Sequence, residues 1–220
     1  MNTLVKILGN KFVALIVLAG VGVWLLVVPM FTGSLGANPV EKLLHQSGEI
    51  AIWTLGTVLS LSPLRSLFPR SRIVGALNRH RRYIGVSACA YGLLHLSCHI
   101  LYEGDLGAVA RSLSKPFIWF GLAGLSILVI LASTSNSFSV RKLGGRNWKR
   151  LHRLAYVAGA LLIYHQSIAG KGHWYIARWL LFPLAALQIA RITKSLLVKL
   201  APVFYRRVAA VSLPNAPTPP

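Results

Sequence analysis

Acidic side chains are nearly absent: four Asp and Glu stand among 220 residues, against 24 Lys and Arg, for a formal net charge of +20. Charge of either sign is also scarce, at 13% of the residues, where soluble domains carry about 25%. Two cysteines, Cys89 and Cys98, exclude a disulfide framework and read as small packing residues. The low hydrophobicity that disorder requires is missing, because 55% of the residues are hydrophobic. No G-x-x-x-x-G-K-[ST] phosphate loop occurs. Gly20-Val21-Gly22 lacks the third glycine of a dinucleotide fingerprint and lies in an apolar run. A nicotinamide donor therefore has no dedicated domain here. A soluble nucleic-acid binder would explain the charge but not the long charge-free runs.

Those runs imply an all-α polytopic membrane protein, since a span takes about 20 mainly apolar residues. Six segments approach this: Phe12–Met30, Ile50–Leu64, Tyr83–Tyr102, Phe117–Ala132, Leu154–Gly170 and Trp174–Ala190. The second is short and is expected either to extend back through His45 and Glu49 or to tilt little. The first is long for the core of a signal peptide, which favours a retained helix over a cleaved one. The expected architecture is a six-helix transmembrane bundle.

The basic residues sort by side. Lys6 and Lys11 precede the first span. Six arginines, from Arg65 to Arg82, lie between spans two and three; Arg141, Lys142, Arg146, Lys149, Arg150 and Arg153 lie between spans four and five. Arg191, Lys194, Lys199, Arg206 and Arg207 follow span six. The other side has Lys42, Arg111, Lys115, Lys171 and Arg178, with all four acids, Glu41, Glu49, Glu103 and Asp105. The positive-inside rule then places both termini in the cytoplasm. It also makes the charge a topology signal that touches anionic lipid. The acids lie at or beyond the outer interface, so no nucleophile-base-acid constellation forms. Residues Ala209–Pro220, with four prolines in the last seven positions, read as a disordered tail. No internal repeat is visible, and the loops are too short to hold a soluble domain.

Ionisable residues inside spans default to function. His95 lies thirteen residues from Arg82, and His165 thirteen from His152. At 1.5 Å per residue both stand about 20 Å from their inner entry points, on helices of the same direction. Two neutral imidazoles at matched depth suit the axial pair of a b-type haem. Simple interhelical hydrogen bonding is the alternative. His99, one turn beyond His95 on the same face, is a rival ligand. His95-Leu96-Ser97-Cys98-His99 lacks the first cysteine of a covalent haem motif.

His152 sits at the inner interface, either as an ordinary interfacial side chain or at a second redox site that bridges the distance from cytoplasm to the outer pair. His80, Arg81 and Arg82 at the inner end of span three are expected in a solvated basic loop, with haem propionates or a flavin phosphate as the alternative partner. Pro39 is well placed to begin a helix that carries His45, for which a capping or interfacial role is weighed against a quinone head group or a partner surface. His173 reads as an interface anchor.

An ordered set of short motifs adds a resemblance. It comprises Leu35-Gly36-Ala37-Asn38-Pro39-Val40, His45-Gln46-Ser47-Gly48, Pro63-Leu64-Arg65, Arg81-Arg82-Tyr83-Ile84-Gly85 and Leu94-His95-Leu96. It continues with Lys115-Pro116, Thr134-Ser135, Arg141-Lys142-Leu143-Gly144, Trp148, Leu151-His152 and His165. Together these resemble the haem-binding membrane subunits of periplasmic methionine sulfoxide reductase systems (the MsrQ, or YedZ, family), within the ferric-reductase-like transmembrane superfamily. The resemblance implies a bacterial inner-membrane protein with b-type haem and FMN. Electrons would pass from the quinone pool or a cytoplasmic flavin reductase to a separate periplasmic molybdopterin-dependent enzyme that reduces methionine sulfoxide in proteins. The family's haem histidines map onto His95, His152 and His165. The chain would then divide into a cytoplasmic N-terminus (1–11), a haem-binding transmembrane domain (12–200) and a cytoplasmic tail (201–220). It would carry electrons without catalysing the reduction itself. The competing reading is a histidine-lined proton or metal transporter, with a lipid-bound scaffold behind it.

Overall fold

The computed structural model describes residues 2–169 and 174–212, all helix and short connections, with no strand among them. His173 and the residues beyond Ser212 lie outside this range. The elements are α1 (Asn2–Leu8), α2 (Lys11–Gly22), a π-helical turn (Val23–Val27), α3 (Val28–Phe31), α4 (Pro39–Leu67), α5 (Arg72–Arg79) and α6 (Arg81–Glu103). There follow α7 (Leu106–Ser112), α8 (Pro116–Ser133), α9 (Ser137–Leu151), α10 (Leu154–Ala169) and α11 (Trp174–Ser212).

Five stretches are long and apolar enough to cross a membrane: Lys11–Phe31, Pro39–Leu67, Arg81–Glu103, Pro116–Ser133 and Arg178–Ala201. The fifth of the six expected spans, α10, is described over 16 residues, and it packs against α8, α4 and α11. In the first stretch the π turn precedes Pro29, which has no N–H to return to the carbonyl of Leu25; the widened turn accommodates that gap. The second runs the full length of α4, back through Glu49 and His45 to Pro39. Pro39 takes the first helical position, and the Asn38 side chain accepts from Glu41 N at 3.3 Å as N-cap.

Two expectations need correction. Trp174–Ala190 is only the start of α11, which continues to Ser212 and so includes Ala209–Ser212, expected in the disordered tail. No strong stop follows Ala190, and the basic residues beyond it are accommodated by their length: Lys194 Nζ donates to the carbonyls of Ser66 and Leu67 at 2.9 and 3.0 Å. The basic segments expected as loops contain helices α5 and α9. Each is started by an N-cap that the charge pattern hides: Ser71 Oγ accepts from Val74 N, and Asn136 Oδ1 from Ser139 N.

Helix α4 is the axis of the bundle. Of its apolar window 44% is buried, against 6–17% in the other four, whose outer faces are left to lipid. Ile52, Leu55 and Leu59 of α4 meet Ala88 and Cys89 of α6, Leu128 of α8, Ala158 of α10 and Leu180 of α11 in one core. Cys89 and Cys98 are both buried and unpaired with each other, as small packing residues. Helices α4 and α6 pack antiparallel, as do α8 and α10, so α6 and α10 rise in the same direction.

Candidate functional site

Near the end of the bundle where α4 starts and α6 finishes, the rings of His95 (α6) and His165 (α10) face each other. Their centroids are 6.2 Å apart and their planes nearly perpendicular, at 83°. His95 Nδ1 bonds the backbone carbonyl of Leu44 on α4 at 2.9 Å; His165 Nδ1 bonds that of Phe117 on α8 at 2.7 Å. A carbonyl only accepts, so each Nδ1 carries a proton, and in the neutral ring each Nε2 then keeps its lone pair. Both rings line one cavity of about 320 Å³. Its apolar wall includes Ile52, Leu96, Leu125 and Leu162, and its outer rim carries His45, His99, Glu103 and Lys115. A mainly apolar cleft with a few convergent polar groups is the usual form of a cofactor site.

His99 does not join the pair. Its Nε2 lies 3.3 Å from Ser112 Oγ on α7 and 4.0 Å from Glu103 Oε1. Helix α7, capped by Asp105 through Ala108 N at 2.8 Å, thus draws His99 toward the rim. Sequence spacing cannot show this, because α7 is a seven-residue helix in a segment read as a loop. His45 lines both the cavity and an adjoining surface depression with Asn38, Lys42 and Gln46.

At the opposite end, His152 caps the C-terminus of α9. Its ring stacks on Trp148, with centroids 3.9 Å apart, and its Nε2 lies 3.4 Å from Thr134 Oγ1. Trp148 Nε1 donates to the Thr134 carbonyl at 2.9 Å, which fixes α9 against the end of α8. Burial, and then the guanidinium of Arg81, holds the His152 pKa below the ordinary imidazole value. Among the described residues no histidine faces His152 as His165 faces His95. His80 departs from the expected solvated loop. It is 5% exposed, and its Nε2 bonds the Leu8 carbonyl at 3.0 Å, so α1 roofs the α5–α6 corner. No group of three or more His, Cys, Asp or Glu side chains suited to a metal ion occurs among the described residues.

The sequence reading missed Leu44, Gly48, Phe117 and Gly121, whose backbone forms the walls behind the two histidines. Gly48 closes the His45-Gln46-Ser47-Gly48 motif and Gly121 lies in an apolar run; which ring each meets is a matter of tertiary structure.

Comparison with known proteins identifies the family of the chain. Residues 47–163 match the family described as the ferric reductase like transmembrane component. A relative named protein-methionine-sulfoxide reductase heme-binding subunit MsrQ, from Ralstonia nicotianae, is 36% identical over 156 residues, covering 66% of this chain and 70% of that protein. The protein of the same name from Agrobacterium fabrum is 38% identical over 143 residues, covering 64% of each chain. The magnetosome protein MamZ of Magnetospirillum gryphiswaldense is 37% identical over 142 residues, 63% of this chain but 21% of its own length. The chain thus spans less than two thirds of the latter two relatives. With apolar helices long enough to cross a membrane several times over and a family match across more than half its length, the chain is a multi-pass membrane protein that belongs to the ferric reductase like transmembrane family, among the MsrQ subunits.

Proposed function

We propose that the chain is a transmembrane electron-transfer subunit in which His95 on α6 and His165 on α10 would hold a b-type haem. One observation carries this: two buried imidazoles face each other across a cavity, each with Nδ1 given to a helix carbonyl and Nε2 left as a donor of electrons. The ring centroids stand 6.2 Å apart, close enough for both imidazoles to hold one group between them. Bound there, haem supplies a one-electron carrier in the apolar interior. The chain's own part is to fix both rings, exclude water and hold the site toward one end of the bundle.

The finer assignments follow the same reading. The chain forms a six-span bundle with both termini in the cytoplasm, supported by the basic end that gathers Arg65, Arg81 and Lys194 and the opposite end that gathers the acids. His152, about 20 Å from His165 along α10, serves a second redox site toward the cytoplasm. The stacked Trp148 and nearby Arg81 suit the planar, anionic groups of a haem or FMN. Electrons from quinol or a cytoplasmic flavin reductase reach a periplasmic molybdopterin enzyme that reduces protein methionine sulfoxide; the relatives' name supports the association with a protein-methionine-sulfoxide reductase.

Purified membranes containing the chain should be red, with a Soret band that shifts on dithionite and a b-type pyridine haemochrome. Colourless, fully folded protein from haem-replete cells would overturn the proposal in favour of a histidine-lined transporter.

A further inference from the structure

The two histidines are held by the same device, built twice. In an α-helix the carbonyl of residue i points toward residue i+4, whose Cβ shields it from the side. Behind His95 the carbonyl is that of Leu44 and residue i+4 is Gly48; behind His165 it is that of Phe117, and residue i+4 is Gly121. A Cβ built on Gly48 would lie 2.8 Å from His95 Nδ1 and 3.0 Å from its Cε1. A Cβ built on Gly121 would lie 2.8 Å from His165 Nδ1 and 2.9 Å from its Cε1. Only glycine leaves room for the ring to lie flat on the helix and reach a carbonyl already used by the helix itself. The pairs α4–α6 and α8–α10 present this unit in opposed copies across the cavity, although the sequence shows no repeat.

We propose that Gly48 with the Leu44 carbonyl, and Gly121 with the Phe117 carbonyl, are positioning elements that set the tautomer and the direction of His95 and His165 before any metal binds. This rests on the haem reading for its purpose but not for its geometry. Free histidine favours the proton on Nε2, which would block ligation. The carbonyls draw the proton to Nδ1 and aim both Nε2 atoms into the cavity. A backbone carbonyl, unlike a carboxylate, orients the ring without adding a charge beside it.

The test uses the full chain in detergent, with and without haem, labelled with nitrogen-15 at histidine. In the haem-free wild type, two histidines should show the Nδ1–H tautomer, assigned by loss of one signal set in His95→Gln and the other in His165→Gln. Gly48→Ala should return His95, and Gly121→Ala should return His165, to the Nε2–H form. In haem-loaded protein each glycine variant should lose about ten- to a hundred-fold in haem affinity or turn high-spin. Gly85→Ala, on α6 with open space around its Cβ, should match wild type in both measurements. Wild-type histidines both found as Nε2–H would overturn the proposal without need of a variant. So would Gly48→Ala and Gly121→Ala proteins with unchanged tautomers and an unchanged low-spin spectrum. Protein that takes up no haem yet shows both Nδ1–H tautomers would sink the haem reading and leave the positioning role standing.

Discussion

An imidazole offers two nitrogens, and what one of them binds decides what the other can do. His95 and His165 spend Nδ1 on carbonyls, whereas His99 turns Nε2 to Ser112 and Glu103. The three histidines therefore part into a facing pair and a rim residue, although His95 and His99 share one face of α6. His165→Ala and His95→Ala should each strip the haem or leave five-coordinate, high-spin iron. His99→Ala should keep wild-type haem content by pyridine haemochrome and a low-spin spectrum. Haem loss in His99→Ala equal to that in His95→Ala would move the ligand one turn along α6.

At the scale of elements, the site depends on how closely α10 approaches α4 and α8. Ala158 is fully buried in that seam, and a Cβ on Gly124 of α8 would press on Leu162 of α10. Ala158→Leu adds volume where none is free and should cost about 1–3 kcal/mol by overpacking. Because His165 lies two turns further along α10, the same change should weaken haem retention. Leu196→Ala, on the exposed face of α11, should leave both nearly unchanged. Thermal melts in detergent, followed at the Soret band, compare the two; equal melting temperatures would contradict the packing described. The short helices matter in the same way. Helix α7 holds His99 at the rim, and α9 brings Trp148 onto His152.

For the whole molecule, charge separates the two ends. The segments around α5 and α9 hold half of the 24 basic residues and no acid. With both segments cytoplasmic, a thiol reagent that cannot cross the membrane should label Leu106→Cys from the periplasm and leave Gly145→Cys unlabelled in intact cells. Leu106 is 84% exposed and, unlike Gly104 with φ of 81°, is an ordinary site for a side chain. Cys89 and Cys98 are buried and should give little background. Reversed labelling would invert the orientation and the direction of electron flow. The absence of a dinucleotide fold gives a companion expectation: NADH alone should not reduce the haem of purified protein, and rapid reduction in a preparation free of other flavoenzymes would contradict it.

Apolar run length and Lys/Arg placement determined, from the sequence by itself, the helical membrane class, most of the spans and the proposed orientation, because each is a sum over many residues along one helix. The thirteen-residue spacings brought His95 and His165 to one depth for a similarly local reason: the rise per residue is fixed. Choices between neighbouring helices were left to the tertiary structure. It decided that His99 faces Ser112, that His80 is buried under α1, that α5 and α9 are helices, and that α11 runs on to Ser212. It also made Gly48 and Gly121 the backs of two imidazole sites. The bonds of His95, His165 and His80 join residues 48 to 72 positions apart, where one ring meets one carbonyl, and no local pattern records which pair will meet.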